Sequence, residues 1–262
     1  MNFEVRRGCV EDAQGIVDLF SEGGNPHSWS YEKWQHYYQL YPEGDTVTFV
    51  AESQDGIIGH YGLFPVTIGD YSVYLGAHAY ISESVRGLAV ISQLMKALDE
   101  FCTAEGVPFI VGFANPRFTT VKTKLFKWRT PFYASFVKCS SFNPEHYQSR
   151  PFMFSYSDKW INWRFGPKAG NPVISRYQKS DSEPPVFQVL HTTKPVEASS
   201  MGLPELECWS PDGYIKMPAN DHFSQPFSIK IYDRNWEGPD LCNPDNWFIQ
   251  MGDSDTFLFR AI

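Results

Sequence analysis

Residues 82–101, "SESVRGLAVISQLMKALDEF", decide how the rest of the chain is read. The stretch leaves a strand, makes a basic turn at Arg86-Gly87 and enters a helix. Val90, Ile91, Leu94, Met95, Leu98, Phe101 and Cys102 recur at helical spacing, which predicts one helix face packed on a sheet. The helix start, Leu88-Ala89-Val90-Ile91, contains no Asp, Glu, Ser or Thr that would cap it. A helix start carries unpaired backbone N–H groups and about half a positive charge, so it holds an anion without side-chain help. Arg86 adds a full positive charge, and Gly87 gives a ligand close access to the backbone. The competing reading is an ordinary strand-to-helix turn with Arg86 in solvent.

Working outward, the first 140 residues read as β-α-α-β-β-β-α-β-α-β. Residues 3–7 alternate as a strand, and Ala13, Ile16, Val17 and Phe20 mark a helix that Gly23-Gly24 ends. Residues 31–38 form an aromatic helix, and 47–52 and 57–66 form a hairpin around Gln54-Asp55-Gly56. Residues 71–82 continue the sheet, Gly106 caps the quoted helix, and "PFIVGF" at 108–113 is a buried strand. Residues 115–128 and 132–138 complete the series. Beyond 140 the pattern weakens: 158–164 reads as a short helix, and 173–178, 187–192, 227–232 and 247–251 read as strands. The expected division is 1–140 and 141–262.

The bulk numbers exclude several classes. A net charge of −8 lacks the positive field that a general nucleic-acid binder needs. Five widely spaced cysteines with no C-x-x-C fit a reducing, cytoplasmic setting better than a disulfide framework or zinc site. The first residues are charged rather than apolar, and no run of about 18 apolar residues is present, so neither a signal peptide nor a membrane span is expected. There is no G-x-S-x-G, no G-x-x-x-x-G-K-[ST] and no G-x-G-x-x-G, and the seven histidines form no H-x-H or H-x-x-x-H pair. No metal is expected.

The order strand, Arg-Gly turn, amphipathic helix, apolar strand and Asn in "AYISESVRGLAVISQLMKALDEFCTAEGVPFIVGFAN" resembles the GNAT superfamily of acyl-CoA N-acyltransferases. The family's R/Q-x-x-G-x-G/A stretch matches as Arg86-Gly87-Leu88-Ala89-Val90-Ile91, with Ala89 where Gly is usual and Ile91 where a small residue is common. "EKWQHYYQLYPEGDTVTFVAESQDGIIGHYGLFPV", "GFAN", "INWRF" and "WFIQMGDSDTF" resemble a bacterial branch linked to surface-polysaccharide and amino-sugar modification. In that branch the C-terminal half is often a reduced second GNAT-like lobe. The resemblance implies an α/β GNAT fold, acetyl-CoA as acyl donor and a small amine, most plausibly an amino sugar, as acceptor. A non-catalytic or ligand-sensing protein of the same fold is the alternative.

It also implies roles. Residues 86–91 would wrap the pyrophosphate of coenzyme A, and the backbone of Tyr80, Ile81 and Ser82 would pair with its pantetheine. Asn115 would stand at the far rim of the slot between the fourth and fifth strands. A base must take the amine proton, and an imidazole titrates near neutral pH. His78, on the face it shares with Tyr80, is the first candidate, or a core histidine among aromatics; His60 is the second. The tyrosine that many members carry after the fifth strand is absent from 121–128, which leaves the acid unassigned. Trp160, Trp163 and Arg164 line an acceptor site or anchor a packed lobe, and Asp253 and Asp255 attract a cationic acceptor or form a solvated turn. The oligomeric state is not legible.

Overall fold

The computed structural model describes residues 2–22, 29–85, 87–167, 170–178, 185–216 and 224–254. The chain forms two compact units that interleave along the sequence. The first comprises Met1–Val66, Tyr71–Val111 and Lys230–Trp236; the second comprises Thr67–Asp70, Gly112–Ile229 and Glu237–Ile262. Residues 112–140 thus join the second unit, and 230–236 return to the first, whereas the sequence suggests one break near 140.

In the first unit the elements run β1 (Phe3–Arg7), α1 (Ala13–Ser21), α2 (Tyr31–Tyr38), β2 (Val47–Ser53), β3 (Gly56–Ile68), β4 (Tyr71–Ile81), α3 (Leu88–Ala104) and β5 (Phe109–Phe113). The sheet order is β1-β2-β3-β4-β5. β1 and β2 are antiparallel with Phe3 opposite Ser53, and β2 and β3 are antiparallel with Val50 opposite His60. Six of the seven residues of the predicted α3 stripe are buried, Val90, Ile91, Leu94, Met95, Leu98 and Cys102, while Phe101 is half-buried at its edge. β5 is buried throughout, as its unbroken apolar run predicts. Residues 230–236 tie α3 and β5 together. Lys230 Nζ reaches both oxygens of Asp99, the Tyr232 hydroxyl donates to Asp99 at 2.8 Å, and Tyr232 N donates to Pro108 O at 2.9 Å.

An ion-paired corner closes this unit. Arg6 donates to both oxygens of Asp12 at 2.7 Å and to Glu52, and hydrogen bonding to Arg6 holds the Asp12 carboxyl down at about 2. A depressed carboxyl adds stability that is complete above its unfolded value, about 3.9, and fades as pH falls through about 2. Arg6→Ala is expected to return Asp12 toward the ordinary range, measured by NMR titration of its side chain. An unmoved Asp12 titration would assign the depression to some other group.

The second unit contains α4 (Pro116–Leu125), β6 (Arg129–Cys139), β7 (Ser141–Phe142), β8 (Phe152–Ser155), α5 (Asp158–Phe165), β9 (Val173–Tyr177), β10 (Val186–His191), β11 (Val196–Glu197), β12 (Leu206–Ile215), β13 (Ser224–Ile231) and β14 (Trp247–Phe248). Its strands run β13-β6-β12-β10-β9. The β10–β12 pair is parallel and β6 is antiparallel to both neighbours, so the sheet is mixed. Phe132 stacks on Tyr214 at 4.0 Å and on Phe227 at 5.0 Å in its core. β12 was hidden in the sequence by Pro211-Asp212-Gly213, which reads as a turn. The structure absorbs these residues as an irregularity between Trp209 and Tyr214. The expected strand at 247–251 is confined to Trp247–Phe248, because residues 251–253 turn into a short helical loop.

Candidate functional site

The start of α3 is open in the structure. Gly87 is its N-cap, no side chain caps the helix, and the first turn carries no acidic residue. Gly87 and Ala89 are exposed and Leu88 is 58% exposed, while Val90 and Ile91 point into the core. Of the expected phosphate cradle, then, 87–89 face solvent, and Val90 and Ile91 can offer only backbone. Arg86 lies outside the described residues. Gly87 is fully extended at φ 175°, and a Cβ there would find nothing nearer than Val85 O at 3.9 Å. Its lack of a side chain therefore serves neither backbone strain nor internal packing.

The helix start rests on β3 because Gly59 lacks a side chain. A Cβ at 59 would lie 2.9 Å from Val90 Cγ1 and 3.1 Å from Leu94 Cδ1. Glycine is spaced through Gly56-x-x-Gly59-x-x-Gly62 for three separate reasons. Gly56 takes φ +115° in the hairpin turn, Gly59 admits α3, and Gly62 admits the Tyr38 hydroxyl, which a Cβ would approach to 2.8 Å.

β4 delivers its residues to this end of the unit. Ser82 is buried; its N–H donates to Ile58 O at 2.9 Å and its carbonyl accepts from Val85 N at 3.2 Å. Both backbone groups of Ser82 thus have partners within the protein, and its carbonyl oxygen keeps a second lone pair. Tyr80 is half-buried, with its hydroxyl 3.4 Å from Glu22 O, and Ile81 is half-buried beside it.

Deeper in β4, His78 sits in an aromatic nest. Phe20 of α1, Trp29, Tyr37 and Tyr38 of α2, and Phe64 of β3 all lie with ring centroids 5.0–6.3 Å from it. Phe20 also touches Tyr80, so His78 and Tyr80 share a face as the strand period requires. His78 Nδ1 lies 2.6 Å from the Tyr38 hydroxyl, and its carbonyl accepts from His60 Nδ1 at 2.8 Å. Its φ is +53°, a left-handed value unusual for a residue other than glycine. His60 is fully buried, and burial lowers its pKa to about 4. It therefore stays neutral at physiological pH and is a poor proton acceptor there. Tyr38 was missed because forty residues separate it from His78, and no local spacing links a helix residue to a distant strand.

The other candidates lie in the second unit. Asn115 caps α4, its Oδ1 accepting from Phe118 N at 2.9 Å. Arg164 is buried in α5, with Nη2 donating to Ser254 O and its guanidinium 5.2 Å over the Trp160 ring. Trp163 is half-buried at 6.2 Å from Trp160. Asp253 is fully buried beside Arg164, so it forms no solvated turn; Asp255 lies outside the described residues. Among the described residues no cluster of three or more His, Cys, Asp or Glu could hold a metal ion. No described helix is long and apolar enough to cross a membrane.

The sequence matches no protein-family profile and no curated protein. The fold does match. A protein of Enterococcus faecalis V583, described as a conserved protein of unknown function and probable N-acyltransferase, superposes with a TM-score of 0.62 at 10% identity, over 88% of this chain and 73% of its own. A GCN5-related N-acetyltransferase from Kribbella flavida gives 0.56 at 10% identity, over 87% and 71%. The α/β architecture expected from the quoted motif is therefore the fold of this chain.

Proposed function

We propose that this chain transfers an acyl group from acetyl-CoA to a small amine. The carrying observation is the uncapped, solvent-facing start of α3 immediately after β4, in a chain with the GNAT fold. The backbone N–H groups of residues 87–91 suit a pyrophosphate, and Arg86 adds charge by sequence. By the motif resemblance Tyr80 and Ile81 would pair with the pantetheine, and His78 is the histidine two residues before Tyr80 on the same strand. The acceptor favoured by the motif resemblance is an amino sugar of a surface glycan, modified in the cytoplasm.

Acetyl-CoA at about 100 times its dissociation constant should stabilise the protein by about 2.7 kcal/mol, read as a rise in melting temperature. No rise at millimolar acetyl-CoA would remove the reading. Turnover is tested by acyl-CoA-dependent thiol release with amino sugars, polyamines and peptides. Binding without turnover on any amine would favour the ligand-sensing alternative. Arg86→Ala should weaken binding, most of all at low salt, because the lost contribution is electrostatic. Equal affinity at low salt would place the phosphates elsewhere.

A further inference from the structure

In the second unit, β6 and β12 bring together two thiols that stand 69 residues apart in the chain. Leu206 lies opposite Cys139 in the antiparallel register, and Cys208 follows two residues along β12 on the same face. The two cysteines are therefore diagonal neighbours, and their Sγ atoms are 3.7 Å apart. Each sulfur also has a backbone carbonyl at 3.8 Å, Leu206 O for Cys139 and Val137 O for Cys208. Cys208 is 2% exposed within a cluster that includes Val189, Leu206 and Phe248. Cys139, the last residue of β6, is half-buried against that cluster.

A hydrogen bond between two thiols makes them chemically unequal. Burial disfavours charge, so a thiolate belongs on Cys139, and the Cys208 S–H donates to it. That donated bond holds the Cys139 thiol below its ordinary value, and the same bond, followed by burial, holds Cys208 above. The nearby carboxylates, Glu205 for Cys139 and Asp212 and Glu207 for Cys208, oppose a thiolate on either sulfur. They do not favour one over the other; the hydrogen bond and the exposure do.

We propose that Cys139 and Cys208 form a peroxide-sensitive dithiol, in which Cys139 attacks hydrogen peroxide and Cys208 closes the disulfide. The site stands apart from the acyl-transfer reading. The Cys139 thiolate attacks one peroxide oxygen, the O–O bond breaks, and hydroxide leaves and takes up the proton that Cys139 released. Cys139 is then a sulfenic acid. The Cys208 sulfur attacks the Cys139 sulfur, the S–S bond forms and the S–O bond breaks. The departing hydroxyl takes the Cys208 thiol proton and becomes a second water. The two sulfurs together lose two electrons, and the peroxide gains them. Bond formation requires the sulfurs to approach from 3.7 Å to about 2.05 Å. Leu206 and Cys139 are the terminal pair of their ladder, so this end of β6 can shift without breaking pairs on both sides. Exchange with a thiol reductant supplies two electrons and restores both thiols.

The test treats the native chain with hydrogen peroxide, blocks the remaining thiols under denaturing conditions and maps the peptides by mass spectrometry. Cys139 should be found linked to Cys208, with two of the five thiols lost and both recovered on adding dithiothreitol. Cys9 is the internal control. It is exposed, but hydrogen bonds with Glu11 and Asp12 hold its thiol above the ordinary value. Cys139 should therefore be oxidised faster than Cys9, by about 10-fold, although exposure alone gives the opposite order. In Cys208→Ala the reaction should stop at the Cys139 sulfenic acid, trapped with dimedone. In Cys139→Ser the oxidation of Cys208 should slow by about 10-fold or more. The linked peptide is read in the native protein, so the test survives a variant that fails to fold. Cys9 reacting first, undiminished oxidation of Cys208 in Cys139→Ser, or no link between 139 and 208 in excess peroxide would each overturn the proposal.

Discussion

Gly59→Val is expected to destabilise the protein by about 1–3 kcal/mol and to weaken acetyl-CoA binding at least 10-fold, the usual range for overpacking plus a displaced binding element. Even a single Cβ at 59 would lie 2.9 Å from Val90 Cγ1, 3.1 Å from Leu94 Cδ1 and 3.2 Å from Ala51 Cβ. Val90 is 3% exposed and Leu94 is fully buried, so neither side chain can swing outward. Relief must come from lifting the first turns of α3 off β3, which moves the N–H groups assigned to phosphate. The helix keeps its other anchors, including Asp99 with Lys230, so the protein should still fold. Urea unfolding measures the first effect and calorimetry with acetyl-CoA the second. Gly59→Ala supplies a milder displacement if the valine variant is too unstable to purify. A folded variant that is destabilised yet binds acetyl-CoA with native affinity would separate the helix start from the ligand.

That glycine shows what kind of information a sequence carries. The turn Gln54-Asp55-Gly56 was legible as a hairpin, and a hairpin it is, but the partners that Gly59 and Gly62 make room for come from α3 and α2. Local periodicity similarly predicted the buried stripe of α3, the full burial of β5 and the absence of a cap at Leu88, because each depends on residues within a few positions. The bonds that define the surroundings of His78 cross eighteen residues to His60 and forty to Tyr38. No spacing rule reaches that far. The left-handed backbone at His78 was equally invisible: histidine is enriched there among residues other than glycine, but its presence in a strand pattern does not signal a positive φ. Residue types were informative and their engagement was not: the sequence did not show that Ser82 N–H donates to Ile58 O or that Asn115 caps α4.

The buried carboxyl of Asp253 gives the largest expected pH effect. Burial pushes it up to about 7, although Arg164 and the Gln250 backbone N–H at 2.7 Å both favour its charged form. An acid whose folded value is raised binds more protons in the native than in the unfolded state between pH ~4 and ~7. Its contribution to stability is therefore greatest below about pH 4, declines as pH rises through that window and levels off above about 7. At about 1.4 kcal/mol per unit, the full penalty at pH 8 reaches about 4 kcal/mol. Asp253→Asn removes the titration while its Oδ1 can still accept from Gln250 N. The variant should match the native protein near pH 4 and exceed it in stability at pH 8, in urea unfolding followed across that range. A native curve that runs parallel to the variant's would mean that the charged carboxylate is already compensated, with Arg164 as its partner. Because Arg164 also donates to Ser254 O, that outcome would make residues 163–165 and 252–254 one ion-paired unit, whereas a converging pair of curves makes Asp253 a neutral, hydrogen-bonded link between them.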